Sequence, residues 1–150
     1  MTRTRGMWFG LALAAMLAAP LAGCGMRGGG VQYGLQPGNA TPGASGKVSV
    51  KQTDSNNQRL QIQVRHMPPP GELHPNLSRF VVWGQVPGQS QQQAMNLGQI
   101  AIDNDRKGSL EVVTPYPNLN LLITAESTAT PRQPSNYVVL QGQVQGGALQ

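Results

Sequence analysis

A chain of 150 residues is long enough for one modest domain with flanking segments, but too short for two domains of ordinary size. Charged residues make up only 11% of it, against roughly 25% in typical soluble domains, and there are 19 glycines and 12 prolines. This composition excludes a helical bundle. It favours short strands joined by many turns, with a polar surface made largely of Gln, Asn, Ser and Thr.

The formal net charge of +5 does not indicate a nucleic-acid-binding surface. Arg3 and Arg5 account for two of the eleven cations, which leaves nine cations against six acidic residues from residue 24 onward. Those nine are scattered along the chain, and only Arg106 and Lys107 are adjacent. Since nucleic-acid binding needs clustered cations and usually stacking aromatics, we expect no nucleic acid among the partners.

Residues 1–23 have the order of parts that marks an export signal. Arg3 and Arg5 supply a positive start, an apolar run of 14 residues covers 6–19, and Pro20 ends it. A helix that spans a bilayer needs about 20 apolar residues. We therefore predict a signal peptide over 1–23.

Small residues follow Pro20, and the segment Leu21-Ala22-Gly23-Cys24 resembles the lipobox of bacterial lipoproteins. The resemblance implies cleavage between Gly23 and Cys24, a diacylglyceryl group on the Cys24 thiol, and often a further acyl chain such as palmitate on the new amino terminus. Two or more acyl chains anchor a protein stably in a membrane where one does not. The alternatives are an ordinary secretory signal with an incidental cysteine and an uncleaved anchor.

Cys24 is the single cysteine of the chain, so no internal disulfide is expected. Apart from the covalent lipid, no cofactor is predicted. In lipoproteins of Gram-negative bacteria, an Asp after the lipidated cysteine tends to retain the protein in the inner membrane, and here that position holds Gly25. The resemblance therefore implies attachment in the bacterial cell envelope, on the periplasmic side. The inner face of the outer membrane is favoured if the source is Gram-negative.

Residues 24–46 are predicted to form the lipidated cysteine followed by a flexible tether. The segment is rich in glycine and proline, and we find no helical or alternating apolar pattern in it. By random-coil scaling such a tether reaches about 25 Å.

Residues 47–145 show short alternating apolar runs that predict strands. The seven runs cover 48–50, 60–64, 80–83, 100–102, 110–112, 119–125 and 138–144. With turn residues between them, they predict an all-β fold, a single seven-stranded antiparallel sandwich of immunoglobulin or fibronectin III type. Residues 146–150 are expected to fray. The predicted core consists of Leu60, Ile62, Val64, Val81, Trp83, Ile100, Ile102, Leu110, Val112, Leu121, Ile123, Val138 and Leu140.

Part of this domain resembles the extracytoplasmic domain of anti-sigma-K-type factors, over residues 79–142. The resemblance is carried by Phe80-Val81-Val82-Trp83, Asn96-Leu97-Gly98, Lys107-Gly108, Leu122-Ile123-Thr124-Ala125-Glu126, Pro134 and Val139-Leu140. It implies a β-sandwich. The chain departs from the family because it has neither a spanning helix nor a cytoplasmic sigma-binding segment, so anti-sigma activity is not carried over.

The two histidines, His66 and His74, flank Glu72. Neutral imidazoles and a carboxylate are ligands that Zn²⁺ or Cu²⁺ accepts, so these three residues are a candidate metal site. The alternative is a rigid, solvated loop between strands. The sequence 103–108, which begins with Asp103 and ends with Gly108, predicts a hairpin turn.

Two proline-rich segments are candidate partner-binding elements: Pro68, Pro69 and Pro70 in one, and Tyr116 between two prolines in the other. Extended proline-rich segments lose little entropy on docking, although they also stiffen loops. No nucleophile elbow, phosphate loop or paired carboxylates appear, so no enzyme is predicted. The sequence thus favours a lipid-anchored, non-enzymatic interaction or structural module, with a possible envelope protein as partner. The alternative is an extracytoplasmic domain that binds a ligand or metal through the 66–74 loop.

Overall fold

The computed structural model describes residues 30–146, which form eight antiparallel strands. The predicted all-β antiparallel class is confirmed, with eight strands in place of seven. A helix of one turn, α1 (Pro70–Leu73), and a 3₁₀ turn (Gln91–Gln93) lie in two of the connections. The strands are β1 (Val31–Pro37), β2 (Ser45–Gln52), β3 (Gln58–Arg65), β4 (Arg79–Gln85), β5 (Met95–Ile100), β6 (Gly108–Thr114), β7 (Asn118–Glu126) and β8 (Val138–Gln145).

The strands form one sheet in the order β5-β4-β7-β8-β1-β2-β3-β6. Strand β1 joins its two halves, because residues 31–35 pair with β2 whereas residues 36–37 pair with β8. The two edge strands, β5 and β6, meet through a bridge between Ile102 and Gly108. The sheet is therefore curled almost into a barrel, and its two halves face each other across a single core as the halves of a sandwich do.

The core is built by alternation along the strands, as β3 shows most clearly. Leu60, Ile62 and Val64 are buried, whereas Gln61 and Arg65 point outward to solvent. Truncation of such a buried side chain to alanine costs about 2–5 kcal/mol. Of the predicted core residues nine are buried, Val138 is half-buried, and Ile102, Leu110 and Val112 pack partly exposed against the cluster.

Strand β4 is buried on both faces. Phe80 and Val82 belong to the main core, whereas Val81 and Trp83, which the sequence assigned to it, are buried on the opposite face of the sheet. There the Trp83 indole N–H donates a hydrogen bond to the Thr124 hydroxyl at 2.8 Å. A continuous apolar run predicts burial, but it does not show which face meets the core.

The predicted tether is wrong over residues 31–46. β1 occupies Val31–Pro37, and the following turn is fixed by the buried Thr41, whose hydroxyl donates to the Val139 carbonyl at 2.8 Å. The domain thus begins about 16 residues earlier than the predicted residue 47. Val31, Tyr33 and Leu35 do alternate with polar or small residues, but the surrounding glycines and prolines concealed this short period-two pattern.

The strand directions divide the connections between two ends of the sheet. At the terminal end lie the first and last described residues, Gly30 and Gly146, with the connections 53–57, 86–94 and 115–117. At the loop end lie the connections 38–44, 66–78, 101–107 and 127–137. The Gly146 N–H donates to the Pro117 carbonyl, so the expected fraying is wrong for this residue.

Several predictions fall outside the described residues: the signal peptide 1–23, the lipidation site Cys24 and residues 147–150. Within 30–146, neither helical segment has the length and apolar character needed to cross a membrane.

Candidate functional site

Two connections of the loop end are tied together above the edge strands. The Met67 N–H donates to the Arg106 carbonyl at 3.1 Å, and the Arg106 guanidinium lies 3.4 Å from the Glu72 carboxylate. Met67 is completely buried and Leu77 nearly so, which fixes both ends of the 66–78 connection in the core. The segment between them, here called the bridging segment, therefore passes over the loop end of the sheet and is held at both ends.

Between the bridging segment and the β5–β6 turn lies a cleft of about 600 Å³, here called the rim cleft. A volume of this size lies within the range of sites that take small molecules or peptide side chains. Its lining combines apolar side chains with guanidinium, amide, hydroxyl and carboxylate groups. The rim cleft is lined by Pro69, Pro70, Ser78, Arg79, Phe80, Gln99, Ile100, Ala101, Ile102, Asp103, Asn104 and Arg106.

The two cations of the rim cleft are only weakly engaged. An Nη of Arg79 donates to the Gln99 side-chain oxygen at 3.2 Å. Arg106 pairs with Glu72, but about half of each side chain is exposed, at 54% and 55%. Exposed pairs of this kind contribute about 0–1 kcal/mol, so Arg106 can exchange its partner at little cost.

The carboxylate in the lining of the rim cleft, that of Asp103, is hydrogen-bonded to the backbone of its own turn. One Asp103 carboxylate oxygen accepts the Lys107 backbone N–H at 2.9 Å, and the Asp103 N–H donates to the Lys107 carbonyl at 2.8 Å. The predicted hairpin turn is confirmed by these bonds. With Asp103 turned toward the backbone, the groups left to meet a ligand are two guanidiniums and two amides, a set that favours carboxylate groups.

A buried hydrogen-bonded chain holds the neighbouring 127–137 connection. The Thr124 hydroxyl, which accepts from Trp83, donates to the buried Glu126 carboxylate at 2.5 Å, and the same oxygen accepts the Ser135 N–H at 2.8 Å. The Ser135 hydroxyl in turn donates to the Ala125 carbonyl. This chain joins the outer face of β4 and β7 to a connection that the sequence predicted only as turn residues.

The structure does not bring the three predicted metal ligands together, because each of them contacts a different neighbour. His66 faces Ser45 at 3.5 Å, Glu72 pairs with Arg106, and the His74 ring tilts against the Tyr137 ring with centroids 5.8 Å apart. His74 Nδ1 also accepts the Asn76 N–H. Over residues 30–146, no three His, Cys, Asp or Glu side chains come together as metal ligands.

The two proline-rich elements lie at opposite ends of the sheet. Pro68, Pro69 and Pro70 belong to the loop end, where Pro69 and Pro70 line the rim cleft and Pro70 begins α1. Tyr116, 40% exposed, lies in the 115–117 connection at the terminal end. One partner surface cannot include both without covering the length of the strands.

Sequence reasoning missed the rim cleft and its two arginines. Arg79 stands at the start of β4 and Arg106 in the β5–β6 turn, so they are 27 residues apart in the chain. The sequence signalled a turn at 103–108, where Arg106 adopts φ 60°, but it did not indicate which connection lies beside that turn. Strand order decides which two connections lie side by side, and the alternation of apolar and polar residues gives no information about strand order.

Comparison of the chain with protein-family models and with curated proteins finds no match. The likeness of residues 79–142 to anti-sigma-K-type domains therefore stays a prediction.

Proposed function

We propose that the protein is a lipid-anchored lipoprotein of the bacterial cell envelope that presents its β-domain as a non-enzymatic interaction module. The observation that carries the proposal is the segment Leu21-Ala22-Gly23-Cys24 at the end of an export signal. The anchor is the covalent lipid on Cys24, and cleavage falls between Gly23 and Cys24. Gly25 supports the inner face of the outer membrane if the source is Gram-negative.

The position of the folded domain supports the anchor. Gly30, the first described residue, follows Cys24 by six residues, so the lipidated amino terminus would be close to a stable body. A thiol six residues from a folded domain is still reachable by a membrane enzyme, because an extended chain of this length spans up to about 22 Å.

The interaction role rests on the rim cleft. Its accessible apolar groups, among them Pro69, Pro70 and Ile102, and its two weakly engaged guanidiniums suit an extended segment of an envelope protein that carries carboxylate side chains. The volume of about 600 Å³ also supports the alternative, an acidic small ligand held through the 66–78 connection. Capture of a protein distinguishes the first from the second.

Cleavage and lipidation are tested by the mass of the mature protein extracted from membranes. We expect a chain that begins at Cys24 and is heavier than residues 24–150 by a diacylglyceryl group, with or without an amide-linked acyl chain. A mature chain that begins elsewhere, or that carries an unmodified thiol, would contradict the anchor.

The interaction role is tested by a photo-crosslinking amino acid placed at Gln99 in the rim cleft of the lipidated protein in intact cells. We expect one recurrent envelope protein to be captured. Arg79→Glu should lower its yield about tenfold, the effect of losing about 1.4 kcal/mol of ion-pair binding. Arg79 is exposed, so the domain should still fold.

A matched control is available on the outer face of the sheet. Gln61 and Arg59 are exposed on β3, away from the rim cleft, and Arg59 pairs with Glu111 at 3.6 Å. A crosslinker at Gln61 should not capture the same protein, and Arg59→Glu should leave the yield from Gln99 unchanged. Equal capture from Gln61 and Gln99 would argue against the rim cleft as the binding surface.

A further inference from the structure

The connections at the two ends of the sheet differ in charge, although the strand residues Lys51 and Arg59 beside the terminal end are exposed cations. The connections of the terminal end carry one ionisable side chain among their Asp, Glu, Lys and Arg positions, that of Asp54. The 86–94 and 115–117 connections carry none and are built from Gln, Ser, Gly, Pro, Val, Ala and Tyr. The connections of the loop end carry six such residues: Glu72, Asp103, Asp105, Arg106, Lys107 and Arg132.

Exposed apolar side chains follow the opposite distribution. Val31 begins β1 at the terminal end and is 37% exposed, Val113 lies one residue before the end of β6 at 49%, and Tyr116 follows in the next connection at 40%. The fourth large exposed hydrophobic of residues 30–146, Tyr137, stacks with His74 at the loop end. Exposed valine and tyrosine suit the interfacial region of a bilayer, where aromatic rings with a polar tip are favoured. The exposed cations Lys51 and Arg59, paired near the same end, suit anionic headgroups.

The chain arriving from Cys24 enters at this same end. Gly30 lies against the end of β2, so closely that a Cβ on it would come 2.3 Å from the Val50 carbonyl oxygen. Five residues, 25–29, separate it from Cys24, and the six Cα–Cα steps set an upper limit of about 22 Å between the two Cα atoms. The strands of six to nine residues place the loop end roughly 20 Å beyond the terminal end.

We infer that the domain rests on the bilayer through its terminal end, with the 53–57, 86–94 and 115–117 connections at the lipid headgroups and the rim cleft directed away from the membrane. The occupant of the terminal end is the lipid surface that holds the acyl chains of Cys24. This inference rests on the proposed lipid anchor. It adds the orientation of the domain and a lipid-contacting surface, neither of which the lipobox implies.

The experiment uses the full lipidated protein in vesicles of phosphatidylethanolamine and phosphatidylglycerol that contain a lipid with a nitroxide on its headgroup. Lipidation consumes the single natural cysteine, so an introduced cysteine can be labelled selectively with a fluorophore. Gln92→Cys places the label in the 86–94 connection. Gly43→Cys, where a side chain meets nothing within 4 Å, places the matched label at the loop end.

Quenching of the label at Gln92 several-fold stronger than at Gly43 is the expected result. Tyr116→Ser should reduce the quenching at Gln92 while the protein still floats with the vesicles. Equal quenching at the two positions in protein that floats would overturn the orientation and leave the anchor intact. Shielding of Gln92 from a soluble quencher without nitroxide quenching would place a protein at the terminal end, and would overturn the inference as well. Protein that does not float would overturn both the anchor and the orientation.

Discussion

Replacing Cys24 with serine is expected to abolish fatty-acid labelling of the protein and to stop removal of residues 1–23. Serine keeps the size and polarity of the side chain but lacks the thiol that accepts diacylglycerol, and the resemblance to lipoproteins implies that cleavage follows lipidation. Metabolic labelling with an alkyne fatty acid, read together with the mass of the protein, measures both effects.

Gly25→Ala provides the matched control one residue away. It leaves the thiol and the four lipobox residues in place, so labelling, cleavage and flotation should remain as in the unmodified chain. Fatty-acid labelling that persists in Cys24→Ser would remove the basis of the proposed function.

Gly108→Ala is expected to lower the free energy of unfolding by about 3 kcal/mol, near the upper end of what overpacking usually costs. A Cβ at Gly108 would come 2.5 Å from both the Ala101 carbonyl oxygen and the Ile100 Cγ2. The oxygen belongs to the backbone and cannot move aside by a rotamer change. Because the bridge between Ile102 and Gly108 is where the edge strands meet, the added methyl group pushes β6 away from β5.

Thermal unfolding followed by circular dichroism measures the effect, which corresponds to a fall of about 10–20 °C in Tm for a domain of this size. Gly43→Ala is the control, since a side chain there meets nothing within 4 Å and the change should stay within about 0.5 kcal/mol. If Gly108→Ala unfolds at the temperature of the parent protein, the two edge strands do not approach as described.

Most strands could be predicted from the sequence because one face of each is buried. Leu60, Ile62 and Val64 alternate with polar residues, and that pattern indicates a half-buried strand whatever its neighbours are. The same rule did not identify β1, because Gly34 and the flanking glycines made the alternation of Val31, Tyr33 and Leu35 resemble a linker. Its pairing with β2 is local, whereas its pairing with β8 joins residues more than 100 positions apart in the chain.

The candidate site was much less predictable. Glu72 was selected because histidines flank it, yet in the fold its neighbour is Arg106, 34 residues later. Spacing along the chain indicates which residues are close within one extended loop. Strand order decides which loops lie next to each other at the same end of the sheet. Arg79 and Arg106 contribute to one cleft only because β4 and β5 pair while β6 returns beside β5 at Gly108.

The buried chain from Trp83 to Ser135 gives the mature protein an internal optical reporter. The sequence contains two tryptophans, and Trp8 is lost if cleavage occurs before Cys24, so all indole emission would come from Trp83. The ring N–H of Trp83 is hydrogen-bonded to Thr124, and Thr124 is bonded to Glu126, which also holds Ser135. Any event that displaces the 127–137 connection would therefore expose the indole to water and shift its emission to longer wavelength. Displacement of this connection is thus measurable without attaching a dye.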